Sequence, residues 1–200
     1  ARAELQDVNG QVVAQTNLTA ESDWMTESMV PFRGIVNFTL PKTEIGWLVI
    51  KNDNPSGLPE NDKMEKFPVK FGQIVKIYFH DYVNDPNINE CGQMAAVERL
   101  IAPTEGVARA AIEQLLLGPT AAERQSGWQT QINSGVKVND LTIENGLAKI
   151  DFDGKIQEAV AGSCRVIAIR AQIEETLKQF PTVQNVIISV AGQTDNVLQP

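Results

Sequence analysis

The sequence predicts two domains, an all-β sandwich over residues 1–72 and an α+β domain over residues 73–200. Three observations support this division. The first segment contains short stretches of alternating apolar and polar residues separated by turn-forming residues, which is typical of strands. After Gly72 the periodicity changes, and helical stripes begin to alternate with strands. Residues 162–192 then combine one amphipathic helix with a buried strand, which indicates that the helix lies on a sheet.

The stretch from Gly162 to Gly192 shows this helix and strand most clearly. Ser163 is a suitable N-cap, because its hydroxyl can accept a hydrogen bond from an unpaired backbone N–H. Pro181 ends the helix, since proline lacks the N–H that a helix needs. Residues 186–190 are β-branched or small and predict a largely buried strand. The apolar residues of the helix recur at steps of three and four, as on one buried face: Val166, Ile169, Ile173, Leu177 and Phe180.

The N-terminal domain is predicted to contain five short strands. Asn9-Gly10 favours a tight turn, so the first two strands should form a hairpin. Pro68 cannot donate a backbone hydrogen bond, which places the last strand at a sheet edge. Trp24 and Met25 are expected to face inward as anchors. Five strands are one or two fewer than a complete immunoglobulin-like sandwich contains, so the sandwich is predicted to be incomplete. The strands are residues 2–6, 11–16, 32–40, 47–50 and 67–71.

The C-terminal domain is predicted to follow the order βαββαβ, with its helices on one face of a single sheet. Thr104 is the expected N-cap of the first helix, and Gly118-Pro119 ends it. Thr120 and Glu123 have the spacing of a capping box, which predicts a short additional helix. Residues 80–103 are predicted to form a long polar connection, extended in part. The strands are residues 74–79, 136–143, 147–152 and 186–190, with a hairpin turn at 144–146.

The charge and hydropathy of the chain exclude some functions. The 200 residues include 17 basic and 25 acidic side chains, a net charge of −8. Without a basic cluster to neutralise phosphates, the chain is not expected to bind nucleic acid. No apolar run approaches the roughly 20 residues that a membrane-spanning helix needs. The sequence begins at Ala1 and enters a predicted strand at once, so we expect the natural N-terminus, with any membrane anchor, to precede it.

The chain has two cysteines, Cys91 and Cys164, and one histidine, His80. These are too few for a zinc site. The two cysteines are either buried thiols or partners in one disulfide. Cys164 lies in the first turn of the predicted helix, and Cys91 lies in a polar loop, an uncommon place for a buried thiol. We therefore expect a disulfide that pins the loop to the start of the helix, which implies an oxidising, extracytoplasmic compartment.

Few residues could carry chemistry, and each has a simpler interpretation. His80 lies beside Asp81, but the serine motif of a hydrolase is missing. The loop over residues 81–90 is rich in side-chain oxygens that could bind a cation. The spacing of these residues does not match a calcium-binding EF-hand, and Asn and Asp also occur often in turns. Cation binding by this loop therefore stays an open alternative. Asp151 and Asp153 could act as acid and base on a sugar, or could simply end a polar strand face. We predict no catalytic, cofactor-binding or metal-binding residues.

Four stretches of the second segment follow one another in a specific order: residues 75–79, 108–120, 146–152 and 172–183. On these stretches, residues 74–192 resemble the sporulation and spore germination (GerMN) domain. On residues 7–10, 23–26, 31–32 and 54–57, the N-terminal segment resembles the immunoglobulin-like domain of bacterial spore germination, whose first strands would precede Ala1. The resemblance implies a cell-envelope lipoprotein or secreted bacterial protein with no enzymatic activity and no cofactor, similar to the ring-building folds of sporulation channels.

Together these features predict a non-enzymatic, extracytoplasmic protein of the cell envelope that binds other envelope proteins or assembles with itself. One alternative is a protein that binds or hydrolyses cell-wall glycan, with Trp24, Trp47 and Trp128 stacking on sugars of peptidoglycan. Trp24 and Trp47 are more simply core anchors of the sandwich. The other alternative is a subunit of a ring or an extracellular filament. Contact with a membrane is expected only through an anchor that this sequence does not contain.

Overall fold

The computed structural model of the chain describes residues 1–23, 28–86 and 90–199. These residues form a mixed α/β protein with several sheets and few helices. The chain divides into two compact units, Ala1–Gln73 and Ile74–Pro200. None of the described helices is both long enough and apolar enough to cross a membrane. The predicted anchors Trp24 and Met25 lie outside the described residues.

The first unit is built around a four-stranded antiparallel sheet with the order β2-β1-β5-β6, and β3 and β4 form a separate two-stranded ladder. The β1–β2 hairpin turns at Gly10, whose φ of +82° suits the absence of a side chain. β6 contains Pro68 and lies at the edge of the sheet, the position predicted for it. The strands are β1 Arg2–Asp7, β2 Val12–Asn17, β3 Thr19–Ala20, β4 Phe32–Arg33, β5 Ile45–Lys51 and β6 Met64–Lys70.

The predicted strand over residues 32–40 is wrong beyond Arg33. Only β4 pairs, with β3, and residues 34–40 have no strand assignment. Ile35 is 78% exposed, and Phe38 makes an edge-to-face contact with Phe71 at 5.8 Å instead of joining a ladder. At Gly34 the chain passes against the side chain of Leu18, where a Cβ atom would clash. Alternating polarity predicts an extended chain, but it cannot supply a neighbouring strand to pair with.

The second unit contains two three-stranded sheets, β8-β7-β9 and β10-β11-β12, where a single sheet was predicted. β10 and β11 form an antiparallel hairpin, and β12 pairs parallel to β11. Two strands were missed: β8 lies within the connection that was predicted to be mostly irregular, and β9 is very short. The elements are β7 Gln73–Asp81, β8 Ala95–Ile101, α1 Val107–Leu116, α2 Ala121–Gln125, β9 Trp128–Gln129, β10 Val138–Glu144, β11 Leu147–Phe152, a 3₁₀ turn Gly154–Gln157, α3 Ser163–Lys178 and β12 Asn185–Val190.

Helix α3 explains why the second unit has two sheets. Its apolar stripe is buried as predicted and joins one core with β7, β11, β12 and α1. A second, polar stripe on α3 lies along the edge of β7. Gln179 bonds both backbone groups of Lys76, at 2.8 and 2.7 Å, and the Thr176 hydroxyl accepts the Tyr78 N–H at 3.3 Å. β7 pairs with β9 only at His80 and Asp81. Helix side chains occupy the backbone groups of Lys76 and Tyr78, so no further described strand pairs along that part of β7, and the two sheets stay separate.

The starts of the two longer helices differ from the predictions. The N-cap of α1 is Gly106, and the predicted cap Thr104 instead accepts the Gly106 N–H at 3.1 Å. The N-cap of α3 is Gly162, and Ser163 is its first helical residue; no side chain caps this end. Both errors are shifts of one or two residues at helix ends, where the sequence signal is weakest. The capping box of Thr120 on α2 is confirmed.

Candidate functional site

The two cysteines form the predicted disulfide. Cys91 and Cys164 are bonded, with their Cα atoms 5.1 Å apart. The bond joins the connection between β7 and β8 to the first turn of α3. The alternative of two buried thiols is thereby excluded. The covalent link restrains this connection against the start of α3.

The described part of the polar loop is organised by its own side chains. Asp81 accepts the backbone N–H groups of Val83 and Asn84 and the Asn84 side-chain amide, at 3.0, 3.3 and 2.6 Å. Burial raises the pKa of Asp81, but these donors outweigh it and the net pKa is lowered. Within residues 1–23, 28–86 and 90–199, no three His, Cys, Asp or Glu side chains are grouped as for a metal ion. The loop residues 87–89 lie outside the described residues.

Asp151 is used structurally. Its Oδ1 accepts the Ser189 hydroxyl at 2.7 Å and the Gly192 N–H at 2.8 Å, and its Oδ2 accepts the Asn139 amide at 2.8 Å. Burial raises the pKa of Asp151, but the hydrogen bonds from the three donors have the larger effect, and the net pKa is lowered. A carboxylate held as an anion by three donors joins β10, β11 and the turn after β12. It is not placed as the proton donor that glycoside hydrolysis needs.

The remaining candidates differ in their surroundings. Asp153 directly precedes the 3₁₀ turn Gly154–Gln157, and its buried Oδ1 has no hydrogen-bond partner among the described residues. His80 is buried, and its Nε2 bonds the backbone carbonyl of Asp85 at 3.0 Å. Trp47 lies on β5 in the first unit, with the Lys66 ammonium 4.4 Å from its ring centroid. Trp24 is outside the described residues. Trp128 is the tryptophan that borders an open cavity in the second unit.

That cavity belongs to an apolar groove between the end of α1 and residues 128–138, which we call the α1 groove. It consists of two adjoining cavities of about 410 and 530 Å³ that share Leu116, Leu117 and Ser134. Leu117 is 74% exposed, although Leu115 is fully buried. A step of two residues along a helix rotates the side chain by slightly more than half a turn, so Leu115 and Leu117 point in opposite directions. The other apolar residues of the groove are Pro119, Trp128, Ile132, Val136 and Val138.

Both walls of the α1 groove are held by buried polar contacts. Arg99 donates to the carbonyl oxygens of Gln114 and Gly118, at 2.8 and 2.9 Å, and so fixes the C-terminal end of α1. On the other wall, the buried Gln172 accepts the Gln131 N–H at 3.0 Å. These contacts satisfy backbone groups that the end of a helix and an irregular segment leave unpaired. The groove is therefore preformed.

The rim of the α1 groove carries positive charge. Arg124 and Lys137 line it, and neither forms an ion pair within the described part of the chain. Glu113 also lines it, but its carboxylate is paired with Arg109 at 3.1 Å. A cationic rim stands out on a protein with a net charge of −8. It favours an occupant that carries an acidic residue.

Sequence reasoning missed the α1 groove. The run Leu115-Leu116-Leu117 lies directly before the helix end predicted at Gly118-Pro119, and no role was predicted for Leu117. A third consecutive leucine beyond a filled stripe is a signal of exposed apolar surface. Residues 128–138 carried no such signal, because their position beside α1 depends on contacts with α3.

The chain matches one known family and is similar to some solved structures. The family model for sporulation and spore germination (Germane) matches residues 76–196. The first GerMN domain of the sporulation protein GerM from Bacillus subtilis is 18% identical, with a TM-score of 0.48, and the match covers 61% of this chain and 85% of that one. The tandem GerMN domains of the same protein are 16% identical, with a TM-score of 0.49, over 64% of this chain and 42% of that one. No curated protein matches the chain.

The family match spans more than half of the chain and runs from β7 to beyond β12. It contains the disulfide, the α1 groove and both sheets of the second unit. The chain therefore belongs to the sporulation and spore germination family of GerMN domains.

Proposed function

We propose that this chain is a non-enzymatic interaction module of the cell envelope, and that the α1 groove receives an extended aliphatic segment of another envelope protein. The observation that carries this proposal is Leu117, exposed at 74% on the rim of a preformed apolar groove. Exposed apolar surface beside a concavity marks interaction sites on soluble proteins. The cationic residues Arg124 and Lys137 favour a segment with an acidic residue next to its apolar ones.

The extracytoplasmic location is part of the proposal. The Cys91–Cys164 disulfide supports it, because structural disulfides persist in oxidising compartments. We also propose that the first unit is an incomplete immunoglobulin-like domain, with domains at residues 1–72 and 73–200. A four-stranded antiparallel sheet and a separate two-stranded ladder support the interpretation of the first unit as an immunoglobulin-like domain.

The test is site-specific photo-crosslinking in the cell envelope. A crosslinking amino acid is placed at position 117 in the α1 groove, or at position 100 as the matched control. Leu100 is an exposed leucine of the same unit and does not line the groove. We expect one discrete adduct with another protein from position 117 and none from position 100. Mass spectrometry then identifies the crosslinked segment, which should be aliphatic with an acidic neighbour.

Three other outcomes would contradict the proposal. Equal labelling from both positions would indicate nonspecific contact. An adduct between two copies of this chain would favour self-assembly into a ring or filament. An absence of protein adducts, together with retention on peptidoglycan, would favour glycan binding.

A Leu117→Asp variant should abolish the adduct formed from a crosslinker at Ser134 on the opposite wall, whereas Leu100→Asp should not.

A further inference from the structure

The α1 groove is divided into a first cavity of about 410 Å³ and a second of about 530 Å³. Both have apolar walls, because the first is bordered by Trp128 and Ile132 and the second by Val136 and Val138. Pockets that hold small ligands measure about 300–1,000 Å³, so each cavity is large enough for one aliphatic side chain. The residues that line both cavities, and so lie where the two meet, are Leu116, Leu117 and Ser134.

The first cavity ends at a cation. Arg124 of α2 lines it, and its guanidinium donates to the carbonyl oxygen of Pro119, which lines the same cavity. This partner is neutral, so the bond orients the guanidinium without cancelling its charge. Glu123, the neighbouring carboxylate in the sequence, is bound by Arg99 instead. No other carboxylate of residues 1–23, 28–86 and 90–199 forms an ion pair with Arg124.

The second cavity also ends at positive charge. Lys137 lines it and has no ion-pair partner in the described part of the chain. Lys155 lies beside this end, since a Cβ atom at Gly135 would be 3.0 Å from its ammonium nitrogen. The carboxylate of Glu113 lines the same cavity, but it is paired with Arg109 at 3.1 Å. This end of the groove therefore keeps a net positive charge.

Apolar surface separates the two positive ends. Arg124 borders the first cavity and not the second, Lys137 borders the second and not the first, and Leu117 lies between them. A ligand that runs along the groove therefore meets a cation, two apolar cavities and another cation, in this order. The chain has a net charge of −8, so positive charge at both ends is not a general property of its surface.

We infer that the segment in the α1 groove carries two aliphatic residues at alternate positions, one for each cavity, and an acidic residue on each side of this pair. Alternate side chains of an extended chain point to the same side and lie about 7 Å apart, which suits two adjoining cavities. The acidic residues pair with Arg124 at one end and with Lys137 at the other. This inference rests on the proposed function and specifies the partner.

The experiment measures peptide binding to the full chain by NMR of leucine methyl groups. The reference peptide has blocked ends and the order glycine, aspartate, leucine, serine, leucine, aspartate, glycine. In three variant peptides asparagine replaces the first aspartate, the second or both, and in a control peptide serine replaces both leucines. We expect the reference peptide to shift the methyl signals of Leu117 saturably and to leave those of Leu100 unchanged, because Leu100 does not line the groove.

The aspartates and the leucines should contribute differently. Each aspartate should raise the affinity by about two- to fivefold, the effect of one exposed ion pair. This gain should shrink between about 20 mM and 500 mM salt, because salt screens exposed charges. The peptide with two asparagines should still bind, more weakly than the reference peptide. The control peptide without leucines should not bind, since both cavities are apolar.

Double-mutant cycles assign each aspartate to one end of the groove. In Arg124→Gln, one of the two aspartates should lose its contribution to binding, and in the double variant Lys137→Gln, Lys155→Gln the other should lose it. The aspartate that couples to Arg124 gives the direction of the bound segment. Lys149→Gln is the matched control, because Lys149 is an exposed lysine of β11 that lines neither cavity. It should change neither contribution.

The inference would be overturned if the peptide with two asparagines bound as tightly as the reference peptide, a result that leaves the proposed function intact. Coupling of both aspartates to the same end of the groove, or of neither aspartate to either end, would also overturn it. If neither the reference peptide nor the peptide with two asparagines bound, the proposed function would be contradicted as well.

Discussion

Arg99 of β8 holds both carboxylate oxygens of Glu123 in α2, with Nε 3.2 Å from Oε1 and Nη2 bonded to Oε2. The same guanidinium donates to Gln114 O and Gly118 O at the end of α1. Glu123 in turn accepts the Thr120 N–H and completes the capping box of α2. One ion pair therefore joins a strand to two helix ends, and it fixes one wall of the α1 groove.

Replacing Arg99 with methionine should destabilise the second unit by about 3 kcal/mol, because it leaves a largely buried carboxylate unpaired. Arg170→Met removes an exposed ion pair within α3 and should cost less than about 1 kcal/mol. Urea unfolding followed by the circular dichroism of the helices measures both, since all the described α-helices lie in this unit. Equal losses of stability from the two substitutions would show that the bonds of Arg99 contribute no more than an exposed ion pair does.

The second unit should lose stability in acid. Burial raises the pKa of Glu123, but the bonds from Arg99 and Thr120 outweigh it and hold the net pKa below the ordinary value of 4.5. A lowered folded pKa contributes stability that is complete above pH 4.5 and is lost as the pH falls through the folded value. Asp81 and Asp151, also lowered, act in the same direction below their ordinary value of 3.8.

Glu123→Gln tests this pH dependence. We expect it to lower stability at pH 7 and to flatten the decline between about pH 5 and pH 3, because the titrating group is gone. Urea unfolding at a series of pH values measures the slope. A variant with the same acid slope as the wild type would show that Glu123 does not contribute to it.

Gln172 should be among the most sensitive positions on α3. Its amide donates to Tyr78 O at 3.3 Å and accepts from Gln131 N at 3.0 Å, in a fully buried site. Gln172→Leu leaves both backbone groups unpaired and should cost about 2–4 kcal/mol, since each unsatisfied group costs about 1–3 kcal/mol. Lys178→Leu, exposed on the same helix, should cost less than about 1 kcal/mol. Urea unfolding measures both substitutions, and near-equal costs would contradict the role of Gln172.

The disulfide should stabilise the second unit substantially. The chain-entropy model predicts about 4 kcal/mol for cysteines 73 residues apart. The double variant Cys91→Ser, Cys164→Ser should unfold at a lower temperature than the oxidised protein. It should also show faster amide hydrogen exchange in residues 90–94 and at the start of α3. A reductant should lower the melting temperature of the wild type and leave that of the double variant unchanged. A reductant effect of the same size on both would show that the disulfide is not responsible.

The sequence by itself determined the elements whose signals are local. The Asn9-Gly10 and Asn145-Gly146 turns, the capping box at Thr120 and the helix stop before Pro181 all depend on backbone preferences within a few residues. The buried stripe of α3 is equally local, because helical periodicity requires no knowledge of the partner. The pairing of Cys91 with Cys164 was predictable because the chain has only two cysteines.

The tertiary structure alone decided how strands pair and which polar groups come together. Residues 34–40 have the alternation of a strand but no partner, and β8 has a partner although it lies in a polar connection. Gln172 gives no sign in the sequence that it will meet Tyr78, 94 residues away. The α1 groove likewise depends on contacts between distant segments. Hydrogen bonding across such distances depends on the packed geometry of the whole unit, which local residue preferences do not specify.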